Sequence, residues 1–221
     1  MIDGQRIFDG DAKVYSVIHS NATNDNSAIG GVIGLLSGKA PLHDVVAISY
    51  IYADAGRNIG GVIGRHTSEG EVNNISSTPM IYAINKSQNI GGVSGSALNK
   101  TAYKNIKVKF VDHGADNSVF NSSLTGYTNI GGIVGIVGES TDSNGFIINN
   151  ASVFSYVSRK NSEGASYVDL DYEQKSDVDG KYYGDIVAYG DGVSNVNVGG
   201  FIGNGNGKKA FEIANAYLNS Q

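Results

Sequence analysis

Cysteine and tryptophan are absent from the 221 residues, proline occurs twice, and charged residues make up only 17%. Without cysteine there is no disulfide framework, no thiolate-bound zinc and no thiol nucleophile. With two prolines and no glycine period of three, a collagen-like chain is excluded. The Ala/Glu/Lys/Leu/Arg enrichment of a coiled coil is missing too. No apolar run approaches the roughly 18 residues of a membrane-spanning helix. The longest, Ala28-Ile-Gly-Gly-Val-Ile-Gly-Leu-Leu36, is short and broken by glycine. The opening Met1-Ile-Asp-Gly-Gln-Arg-Ile-Phe8 has neither the basic stretch nor the apolar core of a signal peptide. A formal charge of −5 and a pI near 5.3 argue against a nucleic-acid surface, which needs a basic stripe.

What is abundant is glycine, asparagine and serine: 31 Gly, 23 Asn and 24 Ser, over a third of the chain. Hydrophobic residues still reach 40%, rich in Ile, Val and Tyr, which argues against simple disorder. These residues are arranged in a repeat. Ile29-Gly-Gly-Val-Ile-Gly34 recurs as Ile59-Gly-Gly-Val-Ile-Gly64, Ile90-Gly-Gly-Val-Ser-Gly95, Ile130-Gly-Gly-Ile-Val-Gly135 and Val198-Gly-Gly-Phe-Ile-Gly203. Asn58, Asn89, Asn129 and Asn197 precede four of the five copies. Between copies, an Asp or Asn opens an alternating, strand-like run: Asp11, Asp44, Asn74, Asn105, Asn150 and Asn215. The spacing from Gly-Gly to this residue stays nearly constant, whereas the return to the next Gly-Gly absorbs the insertions.

A unit this short cannot bury an apolar face alone, but stacked units can. Stacking sets each residue on its equivalent, about 4.8 Å away, and so turns a repeat into columns. Ile29, Ile59, Ile90, Ile130 and Val198 would form one apolar column; Val32, Val62, Val93, Ile133 and Phe201 would form another. The recurrent asparagines are expected to form amide ladders. The Gly-Gly pair is expected to serve a corner that needs either a positive φ or close backbone approach. The expected fold is all-β: a β-solenoid, parallel β-helix-like, of about five to six coils with a projecting hairpin insertion. Residues 1–221 would form one such domain, with 158–197 as an arm within it. An antiparallel sandwich is the competing architecture, but it requires no motif at equivalent positions.

These residues resemble the GLUG motif of bacterial filamentous haemagglutinin-type adhesins and immunoglobulin A-cleaving surface peptidases. The resemblance is carried best by Gly131-Gly-Ile-Val-Gly135 running to Ile147-Ile-Asn-Asn-Ala-Ser152, and by Gly199-Gly-Phe-Ile-Gly203 running to Ile213-Ala-Asn-Ala216. It covers most of the chain outside 158–197. Ser94 departs from it, standing where an apolar residue is usual, and the last repeat is stretched. The resemblance implies a secreted or bacterial cell-surface, adhesin-like, non-catalytic segment of a larger exoprotein. Such a segment would extend and display loops to a protein or glycan on another cell, and would associate end to end. The alternative is a structural spacer of a secreted peptidase or polysaccharide-processing enzyme.

No cofactor or metal is expected. The Gly-rich motif occurs five times without the Lys-Ser/Thr and single occurrence of a phosphate loop. HExxH is absent. His19, His43, His66 and His113 share no register with the Gly-Gly, so they read as solvated histidines rather than metal ligands. The acids near the constant side of the repeat, Asp44, Glu69, Glu71, Glu139 and Asp142, do not line up on adjacent coils for acid/base catalysis. The segment 158–197 is different in kind. It holds eight carboxylates against four cations, and five of the 13 tyrosines. Its runs 167–172 and 182–189 flank the turn-like Asp177-Val-Asp-Gly180 and read as a hairpin. Tyr167, Asp169, Asp171, Tyr172, Tyr182, Tyr183, Asp185 and Tyr189 are its candidate partner-binding residues, because tyrosine covers much area at low entropic cost. The insertions 112–128 and 158–197 are expected to leave from the same side of the stack.

Overall fold

The computed structural model describes residues 15–22, 27–97, 101–111, 124–138, 145–156, 159–160, 166–167, 186–188, 196–205 and 212–220. Among these the chain is all-β, and its strands stack in three parallel sheets, an arrangement compatible with a β-solenoid. The long sheet runs Tyr15–Ser20, Leu42–Asp54, Val72–Ile84, Ala102–Val111, Ile147–Tyr156 and Glu212–Ser220. A second sheet stacks Ile29–Gly30, Arg57–Gly60, Gln88–Gly91, Thr128–Gly131 and Val198–Gly199. The third stacks Ile33–Leu36, Ile63–His66, Ser94–Ala97, Val134–Val137 and Ile202–Gly205. Each repeat thus supplies one strand to each sheet, in the same order. Parallel pairing of equivalent strands excludes the antiparallel sandwich.

The registers realise the expected columns. Ile59 pairs with Ile29 and Ile90, and Ile130 pairs with Ile90 and Val198. In the next column the amides of Val32, Val62, Val93 and Ile133 each donate to the carbonyl of the equivalent residue one repeat on. Ile59, Val62, Ile63, Ile90, Val93, Ile130 and Ile133 are fully buried. In the long sheet, alternation sends Val45, Ala47 and Ile51 inward with their partners Ile75, Ser77 and Ile81.

The corners decide between the two roles expected of the Gly-Gly pair. The repeat residues in the left-handed region are Asn58, Asn89 and Asn129 before the Gly-Gly, and Asp44, Asn74, Asn105, Asn150 and Asn215 in the long strands, all at φ between 50° and 57°; Ala55, Asn85 and Lys86, after the long strands, share it. None of the repeat glycines has a positive φ; Gly38 alone among the described glycines does. Asparagine tolerates this conformation better than other non-glycine residues, and its amide adds a bond to the next rung. Asn89 donates to Asn58 at 3.0 Å, Asn129 to Asn89 at 2.8 Å, and Asn197 to Asn129 at 2.8 Å. A second ladder links Asn74 to Asp44, Asn105 to Asn73, Asn150 to Asn105 and Asn215 to Asn149.

The Gly-Gly pair is needed for space. A Cβ at Gly61 would stand 2.3 Å from the carbonyl oxygen of Gly92, and one at Gly60 would stand 1.9 Å from that of Ile63. These are backbone atoms that cannot rotate away.

Part of the insertion belongs to the stack. Leu124–Gly126 pairs in parallel with Ile81 and Tyr82 of the long strand, and Ile186–Ala188 pairs in parallel with Leu124–Gly126. The antiparallel pairing inside 158–197 joins Arg159–Lys160 to Ser166–Tyr167. The second run of the expected hairpin therefore ends as a rung, because Ile186 extends the apolar column of Ile51, Ile81 and Leu124.

Candidate partner-binding surface

Of the tyrosines and acids singled out in the sequence, Tyr167 lies in the short strand Ser166–Tyr167. Asp169, Asp171, Tyr172, Tyr182, Tyr183, Asp185 and Tyr189 lie outside the described residues. The surface that the structure does assemble is the outer face of the long sheet.

Alternation along Leu42–Asp54 turns Val46, Ile48, Tyr50 and Tyr52 outward, and the parallel register extends each of them into a column. His19, Tyr52 and Tyr82 stand in one column, with ring centroids 4.9 Å apart for His19–Tyr52 and 5.8 Å for Tyr52–Tyr82. The His19–Tyr52 contact is edge-to-face, a favoured arrangement for ring quadrupoles. Tyr82 is 47% exposed, and Val17 and Val46 more so. Another column of this face, six residues before that of Tyr52 along the strand, holds Val46, Ser76, Lys107, Ser152 and Tyr217. There the Lys107 ammonium lies 5.4 Å from the centroid of the Phe154 ring. Further toward the start of the strands, Lys104 is paired with Glu71 at 2.5 Å. A signal for this face was present in the sequence: Tyr52 and Tyr82 fall at the same offset from their preceding Gly-Gly.

Two titratable groups depart from ordinary behaviour. The Asp44 carboxyl lies below the usual range because it accepts from Asn74 and, secondarily, because it contacts His43; it is solvent-exposed. His66 contradicts the reading of all four histidines as solvated. His19 and His43 are exposed and His113 lies outside the described residues, but His66 is fully buried. It occupies the inward position of its strand, in register with Leu36 and Ala97. Its Nδ1 lies 2.9 Å from the Tyr103 hydroxyl, and its Nε2 finds no partner among the described residues. Burial lowers its pKa to about 4 and raises that of Tyr103, partly opposed there by a hydrogen bond with Ser94. Tyr103 continues into Phe146, 5.2 Å between centroids. Ser94, the departure from the GLUG pattern, therefore lies beside the His66–Tyr103 contact in the core.

Among the described residues no cluster of three or more His, Asp or Glu could hold a metal ion. Nor is any described helix long and apolar enough to cross a membrane. Comparison with family models, with curated proteins and with solved structures gives no match to this chain.

Proposed function

We propose that the chain is a β-solenoid of about five to six coils whose insertions interrupt an otherwise regular stack. We infer that it acts as a non-catalytic, adhesin-like segment on a secreted or cell-surface exoprotein, presenting its outer faces and loops to another cell. The observation that carries this reading is the alignment of the repeats in register, with the outward positions of the long sheet given to tyrosine, histidine, valine and lysine. A solvated sheet face would ordinarily be polar, and exposed aromatic columns of this kind serve contact. The resemblance of the repeat to the GLUG motif supports the placement on a surface exoprotein.

End-to-end association belongs to the same proposal. Val198, Ile213 and Leu218 sit in core columns yet are 50%, 47% and 57% exposed on the last rung. A strand edge and open core of this kind invite a partner. Sedimentation velocity is expected to show concentration-dependent assembly, and a single monomer species throughout would contradict it. For the main reading, beads coated with the protein are expected to adhere to cells above albumin-coated beads. Equal retention of both bead types would refute the adhesive role.

A further inference from the structure

Three side chains of the outer face, Lys107, Phe154 and Tyr217, come from the last three rungs of the long sheet. Register sets Lys107 beside Ser152, Ser152 beside Tyr217, and Lys109 beside Phe154. Lys107 and Lys109 are one residue apart on the same face, so their side chains rise about 7 Å from one another. Both are exposed, and among the described residues neither has a carboxylate partner. Next to them lies a shallow, open depression of about 520 Å³ lined by Asn150, Ala151, Ser152, Phe154, Tyr217 and Leu218. Tyr217 is 70% exposed there.

We propose that this depression binds an acidic polysaccharide whose charge is carried by carboxylates, a uronate-type chain. The inference rests on reading the protein as a binding segment and names the partner class for it. Charge supplies the first argument: two ammonium groups with no carboxylate partner among the described residues stand on the surface of a chain with net charge −5. They attract an anion locally, while the remainder of the molecule repels a polymer as densely charged as a sulfated one. A uronate chain, with at most one carboxylate per sugar, suits that balance. The rings supply the second argument, since the apolar faces of sugars pack on Phe154 and Tyr217 while Ser76 and Ser152 offer hydroxyl partners. The backbone supplies the third. The strands that carry Lys107, Lys109, Ser152 and Phe154, Ala102–Val111 and Ile147–Tyr156, are each paired on both sides, so their ladder groups are already engaged and only the edge of Glu212–Ser220 is left to an extended peptide, which polyglutamate tests. Polysaccharide recognition needs side chains alone.

The test measures binding of the full chain to polygalacturonate, with neutral dextran, dextran sulfate and polyglutamate as comparison polymers. Polygalacturonate is expected to bind tightest, with affinity falling as salt screens the ammonium groups. Lys107→Gln with Lys109→Gln should weaken it by about three- to tenfold and flatten the salt dependence. Lys107→Arg with Lys109→Arg should restore it. Tyr217→Ala, at an exposed site on the terminal rung, should weaken binding without lowering the melting temperature. Equal affinity of the Gln double variant and the parent would overturn the proposal, as would polyglutamate binding as tightly as polygalacturonate. No polygalacturonate binding while coated beads still adhere to cells would overturn this partner alone. Loss of both would sink the adhesive reading with it.

Discussion

At the scale of single residues, asparagine does two jobs that the sequence shows only as a recurrence. Asn129 holds a φ of 54°, donates to Asn89 at 2.8 Å, and accepts from Asn197 at 2.8 Å and Asn204 at 3.1 Å. Asn129→Ala removes both the conformational tolerance and the ladder, and should cost about 2–4 kcal/mol. Asn129→Gly keeps the conformation and loses only the amide, so its cost should be clearly smaller. Urea denaturation of both variants measures the difference; equal costs would mean that the left-handed corner is not what asparagine supplies. His66 gives a pH dependence. Its pKa in the folded state is about 4, below the value near 6.5 of an unfolded histidine. Between these values the unfolded chain binds a proton that the folded chain refuses, so stability is full above about pH 6.5 and falls as the pH drops toward 4. The loss from this group alone is about 3 kcal/mol. His66→Leu should flatten the profile in that window, and an unchanged slope would remove His66 as its source.

At the scale of elements, the close approach of neighbouring rungs is what the glycines serve. A Cβ at Gly132 would stand 2.0 Å from the Gly200 carbonyl oxygen, and one at Gly61 would also meet Ser77 Oγ at 2.8 Å and Pro79 Cβ at 2.9 Å. Gly61→Val and Gly132→Val should each destabilise by about 3 kcal/mol or more, since the rungs must separate to admit the side chain. Melting curves that coincide with the parent would contradict the tight corner. The strands themselves were legible in the sequence, because in a parallel stack the neighbour of Ile59 is Ile29 or Ile90, and one column can be read down the repeats. The division of labour within Asn-Ile-Gly-Gly was not, since asparagine and glycine both suit a left-handed corner and occur together in four of the five copies. The burial of His66 was hidden for a related reason. Its position aligns with Leu36 and Ala97, but only after the register of the third sheet is known. The rung Ile186–Ala188 carries no repeat motif, and its place is set by the apolar column below it rather than by any local pattern.

At the scale of the whole molecule, stability comes from repetition: columns such as Ile29 to Val198 and the amide ladders beside them let each rung bind the next. The same repetition shapes the surface, because an outward residue on one rung lies beside its equivalent on the next, which brings Tyr52 to Tyr82 and Lys107 to Ser152. Everything here depends on in-register parallel stacking, and the absence of native cysteine makes that stacking directly measurable. Val46 and Ser76 are register partners on the outer face, so their Cα atoms lie about 4.8 Å apart, within disulfide range. Val46 and Ser152 share that column three rungs apart, at about 14 Å. Under mild oxidation, Val46→Cys with Ser76→Cys should cross-link rapidly within one chain, and Val46→Cys with Ser152→Cys should remain reduced. Slow or absent cross-linking of the first pair with both thiols open to alkylation, or equal cross-linking of the two pairs, would contradict the stacked-repeat account.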